Sequence, residues 1–169
     1  MAPATGRILD TETLIARLEH ERALGRRIVF TNGCFDVLHR GHTAYLAQAK
    51  ELGDVLVVAV NDDESVRRLK GLGRPLNQAA DRAEVIAELG AVDYVTLFAT
   101  DTPAPLIERI RPEVYAKGGD YTPEMLAETP VVRGYGGDVR IVDYVTDHAA
   151  HGLIERARAL SEPDGTDGR

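Results

Sequence analysis

The chain holds one cysteine, Cys34, and only three lysines, Lys50, Lys70 and Lys117, in 169 residues. A single thiol excludes an internal disulfide and is too few for a cysteine zinc site. Arginine carries most of the positive charge, and the net charge is −7. No block of basic residues is present, which speaks against nucleic acid as a partner held by long-range attraction. No apolar run is long enough to span a bilayer, so no membrane partner is expected. The opening stretch, "MAPATGRILDTET", lacks the apolar region of a secretory signal, and a cytoplasmic location is the expectation. An acidic protein can still bind a small anion where the local groups allow it, so the local groups decide.

What is present alternates between strand and helix patterns. Leu14, Ile15 and Leu18 recur at helical spacing in residues 11–24, with Gly25 as a stop. "RRIVFTN" reads as a short buried strand, and "GHTAYLAQAKELG" as a helix that begins at Gly41 and closes at Gly53. "DVLVVAVN" is a near-continuous apolar strand, the kind found where both faces of a parallel sheet are covered. A short helix in "DESVRRL", a turn-rich loop "KGLGRPLNQ" and a helix in "AADRAEVIAEL" follow. "VDYVTLF", "PEVYAKGGD" and "DVRIVDYV" read as strands, and "TPAPLIERIR" and "GLIERARAL" as helices. This predicts an α/β fold, a Rossmann-like five-stranded parallel sheet with helices on both faces. The expected organisation is a helical extension over 1–26, one domain over 27–160 and a disordered tail over 161–169.

Ligands of such sheets bind outside the carboxyl ends of the strands. "NGCFDVLHRGH", "NDDES", "KGGDY" and "TDHAAHG" follow the first, second, fourth and fifth strands, so all four fall at that edge. The first stretch is the most informative. Gly33 permits a tight turn and a close backbone approach. Gly41 stands where free N–H groups and the helix dipole favour an anion. His39 and His42, about one turn apart, can each donate a hydrogen bond to a phosphate oxygen. Stabilising the charge of a phosphoryl-transfer transition state is chemistry that two imidazoles can do. Two histidines make an incomplete metal site, and no protein-held metal is expected. The spacing alone also fits two structural histidines in a turn.

"NGCFDVLHRGH" resembles the G-x-F-D-x-x-H-x-G-H signature of the cytidylyltransferase-like nucleotidyltransferases. The resemblance extends through "NDDESVRRLKG", "RPLN", "DRAEVIAELGAVDYV", "VYAKGGDYTPE" and "YGGDVRIVDYV" to the adenylyltransferase half of bacterial ADP-heptose synthases. It implies transfer of AMP from ATP to a heptose 1-phosphate, giving ADP-heptose and pyrophosphate, with Mg²⁺ bridging the phosphates. It also implies a homodimer, and a sugar kinase and phosphatase acting as separate proteins.

The residue roles come from the same resemblance. His39 and His42, with Lys70 and Lys117, form the catalytic set. Thr31, Asn32, Gly33, Cys34, Phe35, Gly41, Gly118, Gly119 and Asp120 contact the nucleotide, and Asp36, Asn61 and Asp62 the sugar phosphate; apart from the resemblance, His148 and His151 are expected at the nucleotide and Arg74 at the sugar phosphate. Plainer readings stand beside these. Lys70 could be a solvated loop lysine, Asp36 a loop-organising acceptor and Asp62 a helix start. Arg74 and Arg82 could bind phosphate or pair with carboxylates, and Cys34 could be a filler.

One departure stands out. The family's Ser-Thr-Thr run at the last helix becomes Ala149, Ala150 and His151, which removes two hydroxyl donors. His148 or His151 could replace one of them. Three outcomes are open: the enzyme works with substituted contacts, it takes another nucleotide or another sugar or polyol phosphate, or it binds without catalysis.

Overall fold

The computed structural model describes residues 7–143 and 150–161. The chain runs α1 (Thr11–Ala23), β1 (Ile28–Gly33), α2 (Arg40–Lys50), β2 (Val55–Asn61), α3 (Asp63–Lys70), α4 (Ala79–Ala87), β3 (Tyr94–Phe98), α5 (Ala104–Ile110), β4 (Val114–Gly118), α6 (Thr129–Gly134), β5 (Asp138–Val142) and α7 (Ala150–Ser161). A 3-10 turn over Pro123–Met125 precedes α6. The five strands are parallel in the order β3-β2-β1-β4-β5.

Strand residues alternate between two cores because successive side chains point to opposite faces of a sheet. Val29, Leu56, Val58 and Val95 pack with Leu46 and Ala49 of α2 and with Ala83, Ile86 and Ala87 of α4. Ile28, Phe30, Val57 and Tyr115 pack with Leu14 and Leu18 of α1 and with Ile107 and Ile110 of α5. Every residue of β2 is buried, which accounts for its unbroken apolar run from Val55 to Val60.

The segment before α1 runs along the outer edge of β3. Leu9 N–H donates to the Val95 carbonyl, and Val95 N–H donates to that of Arg7, each at 2.9 Å. α1 starts on an aspartate cap, in which the Asp10 carboxylate accepts from Thr13 N–H at 2.8 Å. Its far end is tied down by Arg22. That guanidinium meets Glu113 at 2.8 Å and donates to the carbonyls of Ile110 and Arg111 at the end of α5.

Three expectations need correction. α2 begins at Arg40 with His39 as its cap, one residue before the glycine expected to start it. The stretch after "KGGDY", unassigned by pattern, holds the 3-10 turn and α6, whose six residues are too few for periodicity to register. Ser161, placed in the disordered tail, closes α7. His148 and Ala149 lie outside the described residues, and for His151 only the helical backbone is described. No helix among the described residues is long and apolar enough to cross a membrane.

Candidate active site

Strand order reverses direction at β1, which lies between β2 and β4, and the cleft expected at such a point is present. It opens beyond the carboxyl ends of β1 and β4, holds about 170 Å³, and is lined by Asn32, Gly33, Cys34, Phe35, Asp36, His42, Tyr45, Lys70, Arg74, Lys117 and Gly118. Three cations and an imidazole therefore face a space with one carboxylate. The volume is below that of sites that enclose a drug-sized molecule, so it suits the phosphate end of a nucleotide and not the whole of it.

The two histidines also build the helix that carries them. His39 Nδ1 accepts from Gly41 N–H at 3.1 Å, and His42 Nδ1 accepts from His39 N–H at 3.4 Å. This is a reciprocal capping box with imidazoles in both roles. A nitrogen that accepts carries no proton, so each neutral ring bears its proton on Nε2, the atom farther from the backbone. The rings lie 4.0 Å apart between centroids, and His42 also meets Phe35 at 5.6 Å. Burial, with the nearby His39 and Lys70, pushes the His42 pKa down to about 4. Near neutral pH its imidazole is thus an uncharged donor. The Gly41 N–H, expected to face an anion, is directed at His39 instead.

The loop between β1 and α2 is bent sharply. Phe35 has φ +48° and Val37 φ +62°, both in the left-handed region that side chains with a Cβ rarely occupy. A Cβ on Gly33 would meet the Phe35 ring at 3.0 Å, so this glycine admits the ring. Two buried groups hold the bend. Asp36, 4 % exposed, accepts from the backbone N–H groups of Leu76 at 2.7 Å and Asn77 at 3.0 Å, with Arg74 3.6 Å away. Arg82, 2 % exposed, donates to the carbonyls of Cys34, Asn61 and Asn77 and pairs with Asp63 at 2.9 Å. Asp36 is thus committed to organising the loop. Arg82, for which phosphate binding was open, is a structural staple.

The other named residues divide by place. Asn32, Gly33, Cys34, Phe35, Arg74, Lys70, Lys117 and Gly118 line the cleft with His42. His39 stands beside it, ring to ring with His42. Burial raises the Cys34 pKa, and its thiol donates to Asn61 Oδ1 at 3.8 Å. Thr31 is buried below the cleft, hydrogen-bonded to Tyr45. Asn61 is buried and donates to Ser65 Oγ at 3.2 Å, while Asp62 caps α3 by accepting from Ser65 N–H at 2.8 Å. Gly41, Gly119 and Asp120 do not line the cleft. Among the described residues no group of three or more His, Cys, Asp or Glu could hold a metal. Sequence reasoning missed Tyr45, which lines the cleft and donates to the Ala116 carbonyl at 3.2 Å. The signal was its place three residues after His42, on the same face of a helix.

The model of the cytidylyltransferase-like family matches residues 30–150. The bifunctional protein HldE of Pseudomonas aeruginosa strain LESB58 is 50% identical over 151 residues, covering 89% of this chain and 32% of that protein. Its namesake in Azotobacter vinelandii is 51% identical over the same shares. The chain spans about a third of the length of these curated relatives. A lipopolysaccharide core biosynthesis protein from Thermoplasma volcanium GSS1 aligns with TM-score 0.59 at 30% identity, covering 71% of this chain and 97% of that one. Pantoate-beta-alanine ligase from Francisella tularensis, solved with beta-gamma ATP and beta-alanine, aligns with TM-score 0.60 over 95% of this chain and 81% of its own, and at 14% identity shows the fold alone. A match that enters within β1, takes in the histidine-capped start of α2 and runs to the first residue of α7 makes this chain a member of the cytidylyltransferase-like family.

Proposed function

We propose that the chain transfers AMP from ATP to a heptose 1-phosphate, releasing ADP-heptose and pyrophosphate. The observation that carries this reading is the meeting of His42, Lys70, Arg74 and Lys117 in one small cleft at the carboxyl edge of the sheet, with His39 against His42. The near-whole-chain resemblance to ADP-heptose synthases supplies the substrate. An oxygen of the sugar phosphate attacks the α-phosphorus of ATP in line, and the bond to the bridging β-phosphate oxygen breaks. The nucleophile is already ionised, so no strong base is required. The Nε2 protons of the histidines and the three cations meet the charge of the phosphates. The one carboxylate in the cleft is occupied by backbone N–H groups, so the residues fit a Mg²⁺ held by the nucleotide's phosphates more than one held by the protein. The metal would neutralise phosphate charge there. A homodimer in the cytoplasm, supplied by sugar kinase and phosphatase steps, completes the reading.

A second reading is a nucleotide-binding module without turnover. It is favoured by Ala149, Ala150 and His151, which stand where the family resemblance implies a hydroxyl run. Pyrophosphate release by the purified chain with Mg²⁺, heptose 1-phosphate and either ATP or CTP separates the possibilities. Release with ATP is expected. Release with CTP alone would change the nucleotide. ATP binding without release would favour the binding module or another sugar or polyol phosphate.

A further inference from the structure

Beneath the cleft, Tyr115 of β4 does something that no motif announces. β1 and β4 are parallel neighbours, with Phe30 paired to Tyr115. Asn32 stands two residues beyond Phe30 and therefore on the same face, within the diagonal reach of a long side chain. The Tyr115 hydroxyl spans that diagonal and donates to Asn32 Oδ1 at 2.8 Å. Tyr115 is fully buried at 0 % exposure, and its ring packs beside Phe30 with centroids 6.1 Å apart. Burial pushes the phenol pKa up, so it keeps its proton and remains a donor.

The direction of this bond fixes the amide. Were the amide reversed, its N–H would point at the tyrosine oxygen, and the buried hydroxyl proton would have no acceptor among the described residues. A buried donor left without an acceptor is costly, which selects the arrangement observed. The oxygen of Asn32 is thereby committed. Its Nδ2, with two protons and no partner among the described residues, is left for the cleft that Asn32 lines with Lys117 and Gly118.

We propose that Tyr115 is a positioning residue that locks Asn32 as an N–H donor to a phosphoryl oxygen in the cleft. This rests on the cleft being the phosphate site proposed above, and it adds a neutral, oriented donor to the charged ones.

The test is calorimetric binding of inorganic triphosphate to the chain and four variants: Asn32→Ala, Asn32→Asp, Tyr115→Phe and the Tyr115→Phe/Asn32→Ala pair. Thermal melts accompany each to confirm folding. Tyr115→Phe and Asn32→Ala should each weaken binding by about 2- to 10-fold, the worth of one hydrogen bond. The double variant should be no weaker than Asn32→Ala alone, because Tyr115 acts only through the amide. Asn32→Asp should be the weakest of all, since it presents an anion where a donor stood. Binding by Asn32→Asp equal to or tighter than by Asn32→Ala would overturn the donor role. A further loss from Tyr115→Phe in the Asn32→Ala background would overturn the positioning role, leaving the phosphate site standing. No triphosphate binding by the unaltered chain would overturn the phosphate site, and this inference with it.

Discussion

His39 and His42 each have two occupations, and the two can be separated. Nδ1 holds the start of α2, while Nε2 carries the ring proton that the proposed reaction would use. Asparagine places a side-chain oxygen near the Nδ1 position and is among the best caps. His39→Asn should therefore keep stability close to that of the unaltered chain while lowering kcat by about 10²–10³-fold, the cost of removing one oriented donor. His39→Ala should lose the cap as well, about 1 kcal/mol, read as a lower denaturant midpoint. Equal turnover in His39→Asn and the unaltered chain would remove His39 from the chemistry. For His42 the sign of the pH effect follows from burial. Its folded pKa is about 4, below the ordinary value of 6.5, so the unfolded chain binds the proton more readily. This group's contribution to stability is present above pH 6.5 and falls as the pH drops from 6.5 to 4. Pyrophosphate beside the ring should raise that pKa. Imidazole resonances followed by NMR should move their midpoint up from about 4, and an unmoved midpoint at saturation would place the anion elsewhere.

At the scale of elements, Gly53 and Arg82 join pieces that sequence patterns treat separately. Gly53 follows α2, where a Cβ would sit 2.7 Å from Val29 Cγ2 and 2.8 Å from the Arg27 carbonyl. Gly53→Ala should cost about 1–3 kcal/mol by overpacking the junction of α2, β1 and β2, measured by urea unfolding. Arg82 ties α4 to the β1–α2 loop, the end of β2 and the start of α3. Arg82→Ala should cost about 1–3 kcal/mol, since it takes the donor from three carbonyls while Asp63 keeps the Ala79 N–H and solvent, and Arg82→Lys should not rescue it because an ammonium cannot span that fork. These two residues also mark the limit of what was legible. The strands, the helix faces and the strand–loop–helix carrying the histidines could be read because they obey short-range periods and glycine placement. Arg82 left its role open because its partners are mostly backbone carbonyls, which no residue pattern displays. Asp62 and Asn61 carried a polar signal at the right sheet edge, yet the chain spends them on the start of α3. Tyr115 reads only as a strand aromatic, and its reach across to Asn32 exists only once β1 and β4 are paired.

For the molecule as a whole, the cleft gathers cations while the chain carries a net charge of −7. Phosphate binding should therefore stabilise the fold and do so less at high salt. Triphosphate at about 100 times its dissociation constant adds about 2.7 kcal/mol, which for a chain of this size raises Tm by about 5–10 °C. Differential scanning calorimetry should record that rise and its reduction in 1 M salt, and an unchanged Tm would mean that the cations serve the protein and not a ligand. The covered edge of β3 has its own bearing on how the molecule is made. Val95 exchanges hydrogen bonds with Arg7 and Leu9, and Ile8 lies parallel beside it. During synthesis Arg7, Ile8 and Leu9 leave the ribosome long before Val95 does. Nascent chains halted before β3 should show the segment ahead of α1 open to protease, and chains halted after β3 has emerged should show it protected.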